Sequence, residues 1–269
     1  MSTHPAARTK PLELFDLEGR SALVTGATGA FGRAASEALA ASGARLTLAA
    51  GSQDKLDALA QELDGGGAAV EAVARRADTA GDAEAMVAAA VGAHGRLDLV
   101  VTASGTNAVH PIVDYPVEEW DEVMAANVRG SWLVCQAAGR RLLEQGSGGS
   151  VVLMSSTRGK LGHPAGYSAY VPSKHAIEGL TRTLACEWGP HGIRVNAIGP
   201  TVFRSDLTSW MYSDEDPGKS TREGMLTRIP LGRLGEPDDL VGVLVFLLSD
   251  ASAFMTGQVV YVDGGYTAG

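Results

Sequence analysis

Cysteine is scarce: the 269 residues hold two, Cys135 and Cys186, both in helix-like stretches with no metal-ligand spacing around them. No disulfide framework and no metal site is therefore expected, and a reducing compartment fits. Lysine and arginine form no long run and the net charge is −9, which argues against nucleic acid or an anionic membrane surface as the main partner. The longest apolar run, LVGVLVFLL at 240–248, is far shorter than the ~20 residues that span a bilayer. MSTHPAARTKPLEL at the N-terminus has no apolar h-region. The expectation is a cytoplasmic protein without a secretory signal.

What the chain does have is alternation. After a polar arm at 1–16, short apolar runs read as strands: SALVT (21–25), RLTLAA (45–50), a strand within 69–78, LDLVVTAS (97–104), SVVLMSS (150–156), IRVNAIGP (193–200) and QVVYVDGG (258–265). Helical patterns fall between them, at 33–42, 54–63, 83–95, 117–145, 168–189 and 237–249. Near-continuous apolar strands alternating with helices predict a parallel sheet covered on both faces. No linker or composition break divides 17–269, so the expected fold is a single-domain α/β, doubly wound Rossmann fold with a mostly parallel seven-stranded sheet.

VTGATGAFG joins the first strand to the first helix. Glycines there let backbone N–H groups approach a phosphate, which then sits on the positive end of the helix. Glycine also serves any tight β-to-α turn, so placement in the first βα unit is what favours a dinucleotide. Ala30 is off-pattern, although Gly29 adjoins it. At the end of the second strand, AAGSQDK has neither the acid that takes ribose hydroxyls nor the arginine that takes a 2′-phosphate. Ser52 suits either cofactor, and Lys55 or Arg33 is within sequence reach of a phosphate. NAD and NADP both stay open.

YSAYVPSKHA (167–176) contains two tyrosines and a lysine. Pro172 confines the helix start, because proline is comfortable only in a first turn, and Ser168 is the expected N-cap. Tyr167 then precedes the helix, while Tyr170 and Lys174 stack one turn apart. An ammonium so placed lowers a phenol pKa from its ordinary value of about 10, making tyrosine a usable acid and base for a carbonyl/alcohol pair. An ordinary surface Tyr/Lys pair has the same spacing.

With its neighbours, this segment resembles the short-chain dehydrogenase/reductase (SDR) family, over about residues 17–266. The likeness rests on TGATGAFG, NVRG (127–130), VVLMSS (151–156), YVPSK (170–174), IRVNAIGPTVFRSDL (193–207) and TGQVVYVDGG (256–265), in that order. GTN, the later tryptophan with NVRG, and RIPLGRLGEPDDLVG are most similar to the sugar-acid and polyol branch, the gluconate 5-dehydrogenase-like proteins. The resemblance implies Tyr170 as general acid/base, Lys174 as its pKa-lowering partner and ribose holder, and Asn127 as the anchor of a water relay. Asn127 reads equally as a helix-kink or capping amide. Ser156 is the implied oxygen-binding serine, one residue further from Tyr170 than the family spacing; Ser155 is the alternate, because a one-residue slip exchanges the faces of a strand.

For the cofactor the resemblance implies Gly26, Thr28, Gly29, Ala30, Phe31 and Gly32 at the phosphates. Ser52, Asp78 and Thr79 are implied at the adenosine, with Ala103 and Gly105 after the fourth strand. Pro200, Phe203 and Ser205 are implied at the nicotinamide. TASG (102–105) stands where the family has Asn-Asn-Ala-Gly, and Thr201 replaces a glycine. The implied reaction is NAD(P)-dependent hydride transfer to or from a secondary alcohol or ketone, on a small molecule such as a sugar acid or polyol. Arg158 or Arg204 is a candidate for a substrate carboxylate. Residues 203–228 correspond to the family's substrate lid, with Trp210, Met211 and Tyr212 on its underside or at a subunit contact. A homotetramer built through 117–145, 168–189 and the last strand is also implied. A catalytically weak binding or regulatory protein on the same fold is the alternative, drawn from Ala30, TASG and Thr201. An isomerase or dehydratase is a third reading, against which the short C-terminus counts.

Overall fold

The computed structural model describes residues 10–269. The expected arm at 1–16 lies mostly outside them; its last part is a short 3-10 turn, Pro11–Phe15. Seven strands follow: β1 Ser21–Thr25, β2 Arg45–Ala50, β3 Val70–Ala74, β4 Leu99–Thr102, β5 Gly149–Met154, β6 Ile193–Pro200 and β7 Val259–Val262. They form one sheet in the order β3-β2-β1-β4-β5-β6-β7, and every pairing is parallel. β1, β4 and β5 are buried along their whole or nearly whole lengths, as strands covered on both faces must be.

The main helices are α1 Ala30–Ala41, α2 Gln53–Gly65, α3 Ala80–His94, α4 Val117–Met124, α5 Gly130–Gln145, α6 Tyr170–Trp188, α7 Gly218–Leu226 and α8 Val241–Leu248. Two apolar cores lie on opposite faces of the sheet. One gathers α1, α2 and α8 through Leu39, Leu56 and Leu247. The other gathers α3, α5 and α6 through Met86, Val134 and Ile177. Strand order reverses between β1 and β4, which opens a crevice at their carboxyl ends.

Two boundaries differ from expectation. The helix over 117–145 is α4 and α5 joined by a π turn at Ala125–Arg129, a local widening that turns Asn127 inward. Ser168 does not cap α6: the first helical residue is Tyr170, the N-cap position is Ala169, and no side chain caps it. Pro172 sits third in the helix, where its missing N–H costs nothing.

Candidate active site

The β1–α1 turn is set by close approach. Gly26 has φ +67°, and a Cβ there would lie 2.6 Å from the Ser104 backbone nitrogen after β4. A Cβ on Gly32 would meet the Gly26 carbonyl oxygen at 2.1 Å. Gly29 is different: its φ is −80° and an added Cβ would touch only the Gly26 oxygen, at 3.4 Å. No side chain caps α1, so the N–H groups of Ala30, Phe31 and Gly32 begin a helix whose first turn is free to meet an anion. Phe31 packs on Phe203, with ring centroids 5.7 Å apart.

Around the end of β2, Ser52 caps α2 by position only, its hydroxyl making no capping bond. Arg33 is not free: it pairs with Glu37 at 2.7 Å and with Glu62. The cation that packs here is one the sequence reading overlooked. Arg76, just past β3, brings Nε within 2.7 Å of where a Gly51 Cβ would be. Adjacent strands β2 and β3 place the two together, and Gly51 supplies the room. Asp78 is exposed, and Thr79 caps α3 through a reciprocal pair of bonds with Asp82.

The two serines at the end of β5 have different partners. Ser155 Oγ donates to Glu178 Oε1 at 3.1 Å, so it faces α6's interior side, where Glu178 also accepts from Tyr261 at 2.7 Å. Ser156 opens the 3-10 turn Thr157–Gly159, its Oγ accepting the Arg158 N–H at 3.1 Å, and its hydroxyl is close enough to the Tyr170 phenol to lower that group's pKa. Lys174 is buried and donates to the Met154 carbonyl at 2.9 Å, tying α6 to the end of β5. Its ammonium lies 5.4 Å from the Tyr170 ring centre. Asn127 exchanges two bonds with the Thr106 backbone, at 2.7 and 2.9 Å, and donates to Ser173 Oγ at 3.0 Å. A Cβ on Gly105 would sit 3.0 Å from Asn127 Oδ1 and 3.8 Å from Lys174 Nζ. Asn127, Ser156, Tyr170 and Lys174 thus converge at the crevice, with Gly105 between two of them.

The electrostatics depart from the expected pairing. Burial pushes the Tyr170 phenol above its ordinary pKa; the Ser156 hydroxyl and the Arg158 charge pull the other way. Lys174 is not among the groups that lower it. Burial has pushed Lys174 itself down to about 8, which weakens the cation on which the expectation relied.

On the β6 side, Pro200 closes the strand and Phe203 is buried. The Ser205 hydroxyl is bonded to Thr208 at 3.0 Å. Arg204 is committed: it pairs with Glu236 at 3.1 Å and its guanidinium carbon lies 3.9 Å over the Tyr212 ring. Met211 is buried while Trp210 remains exposed. Arg158, by contrast, is buried, and among the described residues its guanidinium bonds only neutral groups.

These residues fit a bound dinucleotide. The Gly26 cradle has no room for a side chain, and the first turn of α1 offers N–H donors beside it. Among the described residues, the buried hydroxyls of Thr102 and Thr201 and the Asn107 carbonyl oxygen, at or beyond the carboxyl ends of β4 and β6, have no protein partner, as expected where a polar ligand completes the site.

Comparison with known proteins agrees. Residues 26–267 match the family model described as Enoyl-(Acyl carrier protein) reductase. An oxidoreductase of Mycobacterium tuberculosis is 59% identical over 96% of this chain and 94% of its own. L-rhamnose 1-dehydrogenase (NAD(P)(+)) of Azotobacter vinelandii is 38% identical over 91% of this chain and 96% of its own. The crystal structure of a gluconate 5-dehydrogenase from Burkholderia cenocepacia, in complex with NADP and tartrate, superimposes with a TM-score of 0.91 at 27% identity, covering 97% of this chain and all of that one. The chain belongs to the short-chain dehydrogenase/reductase family and is an NAD(P)-dependent oxidoreductase acting on CH–OH groups.

Proposed function

We propose that this enzyme interconverts a secondary alcohol and its ketone on a polyol or sugar acid, with Asn127, Ser156, Tyr170 and Lys174 as its catalytic residues. The observation that carries the reading is the meeting of three groups: buried Lys174, tied to the end of β5 through the Met154 carbonyl, Tyr170 with its ring centre 5.4 Å from that ammonium, and Asn127 against Gly105 just past β4. A bound nicotinamide would supply the hydride acceptor in oxidation and the hydride donor in reduction. Ser156 holds the substrate oxygen. In oxidation the alcohol O–H proton passes to the Tyr170 phenolate as the C–H hydrogen leaves as hydride; in reduction the Tyr170 phenol gives that proton back. Lys174 holds the ribose, and Asn127, fixed by Thr106 and Ser173, orders the approach to Lys174.

The cofactor is held by Gly26, Thr28, Gly29, Ala30, Phe31 and Gly32 at its phosphates, by Ser52, Asp78 and Thr79 at the adenosine, and by Ala103, Gly105, Pro200, Phe203 and Ser205 toward the nicotinamide. NAD and NADP both fit this reading. Residues 203–228, the 3-10 turn Asp206–Tyr212 and α7, form the substrate lid on a single domain spanning 17–269. Among the described residues no helix is long and apolar enough to cross a membrane, in keeping with a cytoplasmic enzyme. Trp132 and Leu143 are exposed large apolar groups on α5, beside Leu180 and Leu184 of α6; this face suits a subunit contact in a homotetramer, which light scattering after size exclusion tests. No observation favours the catalytically weak alternative.

Tyr170→Phe is the deciding experiment. General acid–base assistance is worth about 10²–10⁴-fold, so turnover should fall by that much while dinucleotide binding persists. Undiminished turnover would overturn the assignment.

A further inference from the structure

Arg158 presents an imbalance that the oxidoreductase reading does not explain. It is 8% exposed. Its guanidinium donates to the Gly162 carbonyl at 3.2 Å and to the Tyr266 hydroxyl at 3.1 Å, both neutral groups. Among the described residues it has no carboxylate within ion-pair distance. A buried charge without a counter-charge is costly, and arginine is normally kept inside only when an anion meets it.

A second cation shares the place. Arg228 lies over the same tyrosine, its guanidinium carbon 4.3 Å from the Tyr266 ring centre, with Arg158 5.5 Å from that centre. Arg228 has no ion pair among the described residues either. The acids nearby are occupied: Glu236 by Arg204, Glu178 by Ser155, Tyr261 and Arg182, and Asp263 by the backbone N–H groups of Gly265 and Thr267.

His163 completes the group. Its Nδ1 accepts the Ala165 N–H at 3.1 Å, so the neutral ring carries its proton on Nε2, a donor. Burial and the charges of Arg158 and Arg228 push its pKa down, keeping it neutral. The ring stacks edge-on with Tyr167 at 4.5 Å, and Tyr167 with Tyr170 at 6.2 Å. The Arg158 charge is felt at Tyr170, and its own N–H holds Ser156 Oγ. Two guanidinium groups with no ion pair among the described residues therefore gather at Tyr266, and one N–H donor lies on Tyr167, next to Ser156 and Tyr170 in the fold.

We propose that Arg158, Arg228 and His163 form a carboxylate subsite beside Tyr170, so that the substrate is a hydroxycarboxylate or its keto acid and not a neutral polyol. This rests on the oxidoreductase reading and narrows it. The redox step is unchanged; what the subsite fixes is which alcohol is delivered to Ser156 and Tyr170. A guanidinium fork matches a carboxylate through paired N–H bonds, and both partners already stand in place, so binding orders little.

The test compares acids with alditols of equal carbon number, gluconate against glucitol and threonate against threitol, in wild type, Arg228→Gln and Arg228→Lys. Turnover is read with whichever oxidised dinucleotide binds. Wild type should favour the acids by about 100-fold or more in kcat/KM. Arg228→Gln should raise KM for acids about 10-fold or more relative to KM for the matching alditols, and Arg228→Lys should recover part of that difference. Arg158→Gln should do the same more strongly; because it also ties the 162 loop to the C-terminal tail, the exposed Arg228 serves as the independent variant. Equal use of acids and alditols, or a loss in Arg228→Gln that is the same for both, overturns the subsite and leaves the oxidoreductase intact.

A parallel thermal-shift series with tartrate and succinate needs no turnover. Protection of wild type that is lost in Arg228→Gln supports the subsite; no protection by either anion counts against it. No dinucleotide reduction with any compound would instead defeat the oxidoreductase reading, while the anion series still decides the subsite.

Discussion

Replacing Ser155 and Ser156 separately by alanine should produce opposite phenotypes, although the two hydroxyls are adjacent. Ser155 Oγ is buried and donates to the Glu178 carboxylate at 3.1 Å. Removing it leaves Glu178 with Tyr261 at 2.7 Å and Arg182 at 3.3 Å, so the carboxylate loses one of three partners. A hydrogen bond to a charged group is worth about 1.5–3 kcal/mol, and the surviving partners place the loss near the low end. At about 2–4 °C per kcal/mol for a domain approaching this size, Ser155→Ala should melt roughly 3–8 °C early with kcat within a few-fold of wild type. Ser156→Ala removes the cap of a short 3-10 turn, costing about 1 kcal/mol. It also removes the donor we propose at the reacting oxygen, worth about 10²–10³ in kcat. Because the Ser156 hydroxyl lowers the Tyr170 pKa, its loss should also move the alkaline limb of residual oxidation to higher pH. Steady-state kinetics across pH and a melting curve for each variant suffice. If Ser155→Ala loses as much turnover as Ser156→Ala, or if the Ser156→Ala limb moves to lower pH, the side assignment of the two serines is wrong.

Three further outcomes follow from the cofactor crevice. Gly26→Ala should lower the melting temperature and abolish dinucleotide protection, since a left-handed conformation costs a side chain about 1–2 kcal/mol and the new Cβ meets Ser104 at 2.6 Å. Gly29→Ala, with φ −80° and a 3.4 Å nearest contact, should be close to neutral in stability; similar damage from both would refute the packing argument. Arg76→Ala should weaken NADP binding more than NAD binding by thermal-shift titration, because its guanidinium packs on Gly51 at the end of β2; equal loss would assign Arg76 to the adenine. Lys174 titrates near 8 in the folded chain against 10.5 in its ordinary state. Across that window the unfolded chain binds a proton the folded one lacks, so this group's contribution to stability rises with pH and is lost as pH falls through about 8. The melting temperature of wild type relative to Lys174→Met should therefore increase between pH 7.5 and 9.5, and a flat difference would contradict the burial of that ammonium.

The sheet was legible because each strand carries its own signal: SALVT or SVVLM is apolar on both faces, and the order of βα units then fixes a parallel, doubly wound arrangement. The Tyr170–Lys174 spacing was legible for the same local reason, since one helical turn is a property of sequence distance alone. Partners across the fold were not. Whether Arg204 is free depends on Glu236, and whether Arg33 is free depends on Glu62 across the α1–α2 contact. Arg76 meets Gly51 only because β2 and β3 pair. Ser155 and Ser156 differ by one step in strand phase, and only the position of Glu178 on α6 decides which hydroxyl is taken.

The phenol's pKa was the hardest to read, because spacing supplies a Coulomb attraction while burial supplies a desolvation cost that spacing does not encode. Here the same burial acts on both members of the pair: it raises Tyr170 and depresses Lys174. In the chain without ligand the lysine is thus a weak electrostatic partner, and the lowering of the tyrosine falls to Ser156 and to Arg158. A carboxylate arriving at Arg158 would neutralise part of that lowering at the moment of binding and push the phenol further up. Such an enzyme should run acid oxidation with an alkaline limb shifted above that for a neutral alditol, and reduction of the keto acid, which needs the proton on Tyr170, should persist to correspondingly higher pH. Coincident limbs for acid and alditol would mean that the Arg158 charge does not reach the phenol.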